Sequence, residues 1–361
     1  MTDVAPSRLT PEDVETIRGV ADDLQASVER VIVGKADVVR LALVALLCEG
    51  HILLEDVPGI GKTTLAKALA ASLGCSFRRI QFTPDLMPSD ITGIHYFDQK
   101  AQEFAFREGP LIAQIVLSDE INRATPRTQA ALLEAMEERQ LTVEGETTIL
   151  PRPFLVIATQ NPIELEGTFP LPEAQLDRFM LRLKLGYPDE DDEDKILERL
   201  EHSNPLEDLV PVVSAERLVE MATALRRLHV EPAVRRYAVR IVRETRNESA
   251  FELGASPRAS LALFRAARAF AALSGRDYVL PDDVKAMAPH VLPHRLILST
   301  QTRLRGRDVE DLVAEILERV PVPVEGDVAT ATTAAAGPGA SESAAPPAES
   351  QAGGDSAWRP R

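Results

Sequence analysis

One stretch limits the folds open to this chain more than any other: Pro58-Gly59-Ile60-Gly61-Lys62-Thr63-Thr64. It follows directly on the apolar run 51–55 and opens a helical pattern over 62–73. Glycines let a backbone turn tightly enough for successive N–H groups to point at one anion. The helix start behind them adds the positive end of its dipole. Lys62 then reaches the β- and γ-phosphates of a nucleotide, and the Thr63 hydroxyl is placed to ligate magnesium. The full spacing of such a loop has glycine at position 56, where this chain has Asp56.

Strand, loop and helix in that order call for a mostly parallel sheet with helices on both faces. Further strand candidates are 77–81, 115–117, 154–158 and 180–185, and 125–139 is a strong helix. Two pairs of short β-type runs break the alternation. One is 94–97 with 103–106, around Gln99-Lys100; the other is 141–143 with 147–150, around Glu144-Gly145-Glu146. Both read as inserted hairpins. Ahead of the sheet, Thr10-Pro11-Glu12-Asp13 marks a helix start. That helix runs to about Glu29, and a second, apolar nearly all round, covers 35–49. After Gly186-Tyr187-Pro188 helical patterns dominate: 189–202, 214–229, 232–247, 258–274, 281–290 and 308–319. From Ala329 to Arg361 there is no Val, Ile, Leu, Met or Phe, so this stretch cannot bury enough to offset its ordering entropy. The chain therefore divides into an N-terminal helix (1–30), an α/β domain (31–187), an all-helical domain (188–325) and a disordered tail (326–361).

Two more elements join the phosphate loop. Ile115-Val116-Leu117-Ser118-Asp119-Glu120 is a buried strand ending in two carboxylates. Beside the loop strand, Asp119 is placed to hold a magnesium shell and Glu120 to polarise a water for attack on a γ-phosphate. The run 154–161 is another buried strand with a polar tip, where Asn161 is placed to hydrogen-bond that water or the phosphate.

Composition narrows the classes. Lys+Arg number 40 against 56 Asp+Glu, a net charge of −16, and aromatics are only 4%. That argues against a duplex binder with a basic face. The acid run 189–194 reads as the solvated N-terminus of a helix. Cys48 and Cys75 read as reduced thiols. The first ten residues hold no apolar signal region, and the longest apolar run, 41–48, is too short to cross a bilayer. A cytoplasmic protein without membrane insertion is expected. Pro293 between His290 and His294 spoils a metal-binding helix face, so packing is expected of both.

With these residues in place, the chain resembles the MoxR family of AAA+ ATPases. The matching stretches are 50–55 with the phosphate loop, Ser118-Asp119-Glu120-Ile121-Asn122-Arg123-Ala124 and 125–136. Further ones are Ala158-Thr159-Gln160-Asn161-Pro162-Ile163-Glu164, the run 167–179, and Gly254-Ala255-Ser256-Pro257-Arg258. The resemblance covers about residues 28–320. It implies an AAA+ core of five parallel strands with an all-helical lid, and makes the two hairpins the helix-2 and pre-sensor-1 inserts. It implies ATP and Mg2+ as cofactors, with Pro58, Gly59, Ile60, Gly61, Lys62, Thr63 and Thr64 on the phosphates and Val33-Gly34 in the segment packed on the adenine. Asn161 looks like sensor 1, Arg178 like an arginine finger, and Arg258 like sensor 2, placed to close onto nucleotide. The role of Arg123 stays open.

Function follows as expectation. The resemblance implies ATP hydrolysis by a homo-oligomeric ring, a hexamer, that remodels a client protein together with a von Willebrand factor A domain partner. A nucleotide-gated scaffold with little turnover is the alternative, resting on Asp56 alone. A nucleic-acid motor is disfavoured, because the turn Glu144-Gly145-Glu146 is acidic where a translocating hairpin carries Lys or Arg.

Overall fold

The computed structural model describes residues 8–161, 167–202 and 204–323. The tail expected over 326–361 and part of the run after Asn161 lie outside them.

Helix α1 (Pro11–Glu29) begins where the sequence marks it. Thr10 Oγ1 accepts the N–H of Asp13, and the Asp13 carboxylate accepts the N–H of Thr10. Such a cap is worth about 1 kcal/mol. The apolar α2 (Ala36–Leu47) follows, eight of its twelve residues buried. Strand β1 (Ile52–Glu55) leads through the phosphate loop into α3 (Lys62–Ser72), and β2 (Phe77–Gln81) returns. A one-turn helix α4 (Pro88–Thr92) introduces the first hairpin, β3 (Gly93–Asp98) and β4 (Glu103–Glu108). Next come β5 (Ile115–Asp119) and α5 (Pro126–Glu138), then the second hairpin, β6 (Gln140–Val143) and β7 (Glu146–Ile149). Strand β8 (Leu155–Gln160), a single turn α6 (Glu173–Leu176) and β9 (Leu181–Leu183) complete the α/β part.

Five strands form one parallel sheet in the order β2-β5-β8-β1-β9, so β8 lies between β5 and the loop strand β1, which the sequence reading places side by side. Its side chains alternate between two cores, as the two-residue period of a strand requires. Ile52, Leu54, Ile115, Leu117, Leu155 and Ile157 join one core. Leu53, Val116, Val156 and Ala158 point the other way and pack with Leu132, Leu133 and Met136 of α5. The hairpins stand outside the sheet as separate antiparallel pairs. His95 joins them, its ring nitrogens 3.4 Å from Glu144 and 3.5 Å from Glu146.

The remaining elements are α7 (Glu190–His202), α8 (Ala215–Ala224), α9 (Pro232–Asn247), β10 (Phe251–Leu253), α10 (Pro257–Leu273), α11 (Pro281–Val291), β11 (Ile297–Leu298), α12 (Thr300–Leu304) and α13 (Val309–Arg319). Apolar faces of α8 to α11 and α13 enter the same core as α1, α2 and α3, so the lid is anchored through the N-terminal helices. One boundary differs from the sequence reading. The helix expected over 214–229 stops at Ala224 and ends in a 3-10 turn. His229 then pairs its backbone with Asp277 and Val279, which pulls the chain out of the helix. Among the described residues no helix is long and apolar enough to cross a membrane.

Candidate nucleotide site

The phosphate loop leaves the C-terminal end of β1. Gly59 (φ 86°) and Gly61 (φ 92°) both lie in the left-handed region that favours glycine, and Gly61 caps α3. The Lys62 ammonium donates to the Asp56 carbonyl at 2.6 Å. Burial pushes its pKa down, against the nearby Asp119, Asp56 and Glu120 carboxylates, which push it up. Lys62 therefore sits within electrostatic reach of the carboxylates at the end of β5.

Thr159 ties the two residues together, through the Asp119 carboxylate and the Glu120 main chain. Its hydroxyl donates to Asp119 Oδ1 at 2.6 Å and accepts the N–H of Glu120 at 2.8 Å. The other Asp119 oxygen accepts from Arg79 at 2.6 Å. Glu120 has φ 57°, a strained value for a side chain of this size. The kink turns its carboxylate toward Gln81, whose amide donates to Oε2 at 2.8 Å, and toward Arg123, 3.1 Å away. Asn161 is buried one residue past the β8–β1 pair Gln160–Glu55, so it shares the sheet edge with the loop. Thr63 and Asp119 offer two hard oxygen donors. The described residues hold no cluster of three or more His, Cys, Asp or Glu able to cage a metal. Two donors suit Mg2+, which takes its remaining ligands from phosphate and water.

Beside the loop opens a cavity of about 660 Å³, lined by Val31, Val33, Ile60, Tyr187 and Ile196 among others. Its walls are predominantly apolar, as a purine base requires. Gly34 (φ 71°) lies against α7. A Cβ there would stand 1.7 Å from the Asp192 carboxylate, and the left-handed φ itself favours glycine. The adenine segment read from Val33-Gly34 is thus brought to the loop.

Asp56 turns away from the phosphate position. Its carboxylate accepts the N–H of Val57 at 3.0 Å and of Gly186 at 2.6 Å, where the chain leaves the sheet for α7. Lys35 donates to the carbonyl of Tyr187 next door at 2.9 Å. Asp56→Gly is accordingly expected to keep nucleotide affinity within about twofold, since the change removes a bond to the linker and none to the ligand. Titration with a fluorescent ATP analogue checks this; a tenfold loss would mean that Asp56 holds the loop itself in shape.

Arg178 and Arg258 are brought together, away from Lys62. Both pair with Glu137 near the C-terminal end of α5, Arg178 at 2.8 Å. Neighbouring Met136 accepts a hydrogen bond from His51 Nε2, and the N–H of Met180 bonds His51 O. His51 precedes β1, whereas the phosphate loop follows it. Roughly 13 Å of strand therefore separates the arginine pair from Lys62. Arg258 does not close onto its own chain's loop. Asp177 fixes the pair: it accepts from Arg295 Nε at 2.7 Å and from the Ser256 hydroxyl at 2.8 Å. Arg295 is buried and also donates to the carbonyls of Phe179 and Met180. Thr159 and Asp177 lie within the matched stretches 158–164 and 167–179 but carry no assigned role there; Glu137, Arg295 and Gln81 lie outside every matched stretch.

Comparison with known proteins agrees with this fold. The family model described as "ATPase family associated with various cellular activities (AAA)" matches residues 51–181, and the AAA lid domain matches 243–316. The chain is 49% identical to YeaC of Bacillus subtilis over 87% of its own length and 97% of that protein. It is 43% identical to Chaperone MoxR1 of Mycobacterium tuberculosis, over 82% and 80%. A crystal structure from Cytophaga hutchinsonii superposes with a TM-score of 0.82 at 36% identity, covering 87% of this chain and 98% of that one.

Proposed function

The chain belongs to the MoxR family of AAA+ ATPases, and from that premise we infer that it hydrolyses Mg-ATP as a closed homo-oligomeric ring and uses the cycle to remodel a client protein. The observation that carries the ring is the place of Arg178 and Arg258. They lie at the sheet edge opposite their own phosphate loop, so they reach a γ-phosphate only in a neighbouring subunit. In the single chain they rest on Glu137, which assembly must displace.

Within one site the loop amides and Lys62 bind and orient the triphosphate. Thr63 and Asp119 would hold magnesium, which would supply charge neutralisation for the triphosphate. Glu120, released from Gln81 and Arg123, accepts a proton from the attacking water, which Asn161 helps to orient. Six subunits, a cytoplasmic setting and a von Willebrand factor A domain partner complete the reading. The test of the ring is ATPase activity against protein concentration, read beside sedimentation velocity. Specific activity should rise with assembly; activity independent of concentration in a monomer would end the ring reading.

Client handling belongs to the first hairpin. Tyr96, Phe97 and Phe104 are exposed there, Phe104 to 75%, and Phe97 stacks edge-on against Phe104. Aromatics of this size recover binding energy when a partner covers them. A Phe97→Ser/Phe104→Ser variant should bind unfolded casein about tenfold more weakly by fluorescence anisotropy, while basal ATPase activity holds. Unchanged binding would move the client elsewhere.

A further inference from the structure

Helix α10 begins beside Arg258 and continues along the same side with Leu261, Arg265 and Arg268, at helical spacings of three, four and three. That side borders a cleft of about 830 Å³, separate from the nucleotide cavity. Arg139, Arg152 and Arg226 line it too, with Glu49 and Glu138 as the carboxylates. Five arginines less two glutamates leave +3 in a chain whose net charge is −16. Glu49 is shared by three of them: Arg139 at 3.2 Å, Arg152 at 2.8 Å and Arg226 at 4.0 Å. Among the described residues Arg268 donates to main-chain carbonyls, of Arg226 and Leu228. The guanidinium of Arg265, exposed at the cleft, has no ion pair or hydrogen bond among the described residues. The cleft therefore offers more cationic donors than the chain itself satisfies.

We propose that this cleft receives the acidic segment 189–194 of a second copy of the chain. Asp189, Glu190, Asp191, Asp192, Glu193 and Asp194 form that segment, and its salt bridge among the described residues is Asp192 to Lys195. Its place is as telling as its charge. Glu193 lines the nucleotide cavity and Asp192 lies against Gly34, so the acids flank the nucleoside end of the site. The arginine stripe runs roughly 15 Å from Arg258 to Arg268. A subunit that brings Arg178 and Arg258 to its neighbour's phosphates brings the stripe alongside the same cavity. One docking thus matches two pairs: arginines to phosphates, and cleft to acids. Such contacts set orientation and reject wrong partners more than they add affinity. The proposal rests on the ring reading, and its test separates the two.

Arg265→Glu and Asp191→Arg, both at exposed positions outside the catalytic set, are compared by sedimentation velocity with a slowly hydrolysed ATP analogue. Each variant alone should assemble only at about tenfold higher concentration, with nucleotide affinity unchanged as a check on folding. Mixed in equal amounts they should assemble close to the wild-type concentration. In alternating order every interface pairs opposite charges again. At one interface the introduced glutamate faces the introduced arginine; at the next, the native Arg265 faces the native Asp191. Mixing does not rescue a defect internal to one subunit. Wild-type assembly with Arg265→Glu assembling equally well, or no rescue on mixing, overturns this docking and leaves the ring standing. A wild-type chain that stays monomeric overturns both.

Discussion

Glu120→Gln protomers are expected to bind ATP at the wild-type level and to hydrolyse it at least ~100-fold more slowly. The substitution keeps the shape of the side chain and its contact with Gln81. What it removes is the ability to take a proton from water. Lys62→Ala is expected to fail one step earlier, in binding. Its ammonium is the cation that α3 places at the loop, held between the Asp56 carbonyl and the β5 carboxylates. Equilibrium binding of a fluorescent ATP analogue and steady-state phosphate release separate the two. An equal loss of affinity in both variants would take Glu120 out of the water-activating role. Wild-type turnover in Glu120→Gln would do the same.

Arg178→Ala is expected to bind ATP normally and to lose about a thousandfold in turnover, the lower end of what a finger arginine contributes. Strand β1, roughly 13 Å long, lies between the end of α5 where Arg178 pairs and the loop, so the loss is expected to be a property of the interface. Mixing supplies the decisive measurement. Arg178→Ala protomers keep an intact Lys62 site; Lys62→Ala protomers keep an intact Arg178. Neither hydrolyses alone, yet wherever the second lends its arginine to the first a working site forms. Recovery should scale with the frequency of that order around the ring and with protein concentration. A mixture no more active than its components, with co-assembly verified, would make Arg178 structural. Arg258→Ala should behave alike, because it shares Glu137 with Arg178.

Much of this was legible in the sequence because its physics is local. The loop Pro58 to Thr64 announces itself through glycines and a lysine at fixed spacing. The central strands are short unbroken apolar runs, as strands covered on both faces require, though only the structure sorts their residues between two cores. Thr10 and Pro11 mark their helix to the residue. What stayed hidden depends on distant contacts. Arg295 lies 118 positions from Asp177 and buries a charge there without a motif around it. Thr159 looks like any polar strand end until the sheet sets it beside Asp119. The five-residue helices at Pro88 and Thr300 are too short to show a period. The end of α8 is decided by pairing with residues some fifty positions away. Arg258 was found by its motif, but only its pair with Glu137 at the end of α5 shows which way it faces.

The clasp of Arg295 and Ser256 on Asp177 gives the proposed ring a sense of rotation. The clasp belongs to the lid, and it grips the turn that carries Arg178. The same lid begins at Gly186, bonded to the carboxylate of Asp56 on the phosphate loop. In the proposed ring, a shift at one occupied loop would pull on the lid of that chain, and the lid would move an arginine proposed to serve the adjoining chain. In that arrangement the message would leave each subunit by one side only. Hydrolysis events should then follow one another around the circle in a fixed order rather than at random. A single subunit with a severed clasp should act as a one-way break, silencing the site it faces while leaving its own site in the care of the subunit behind it.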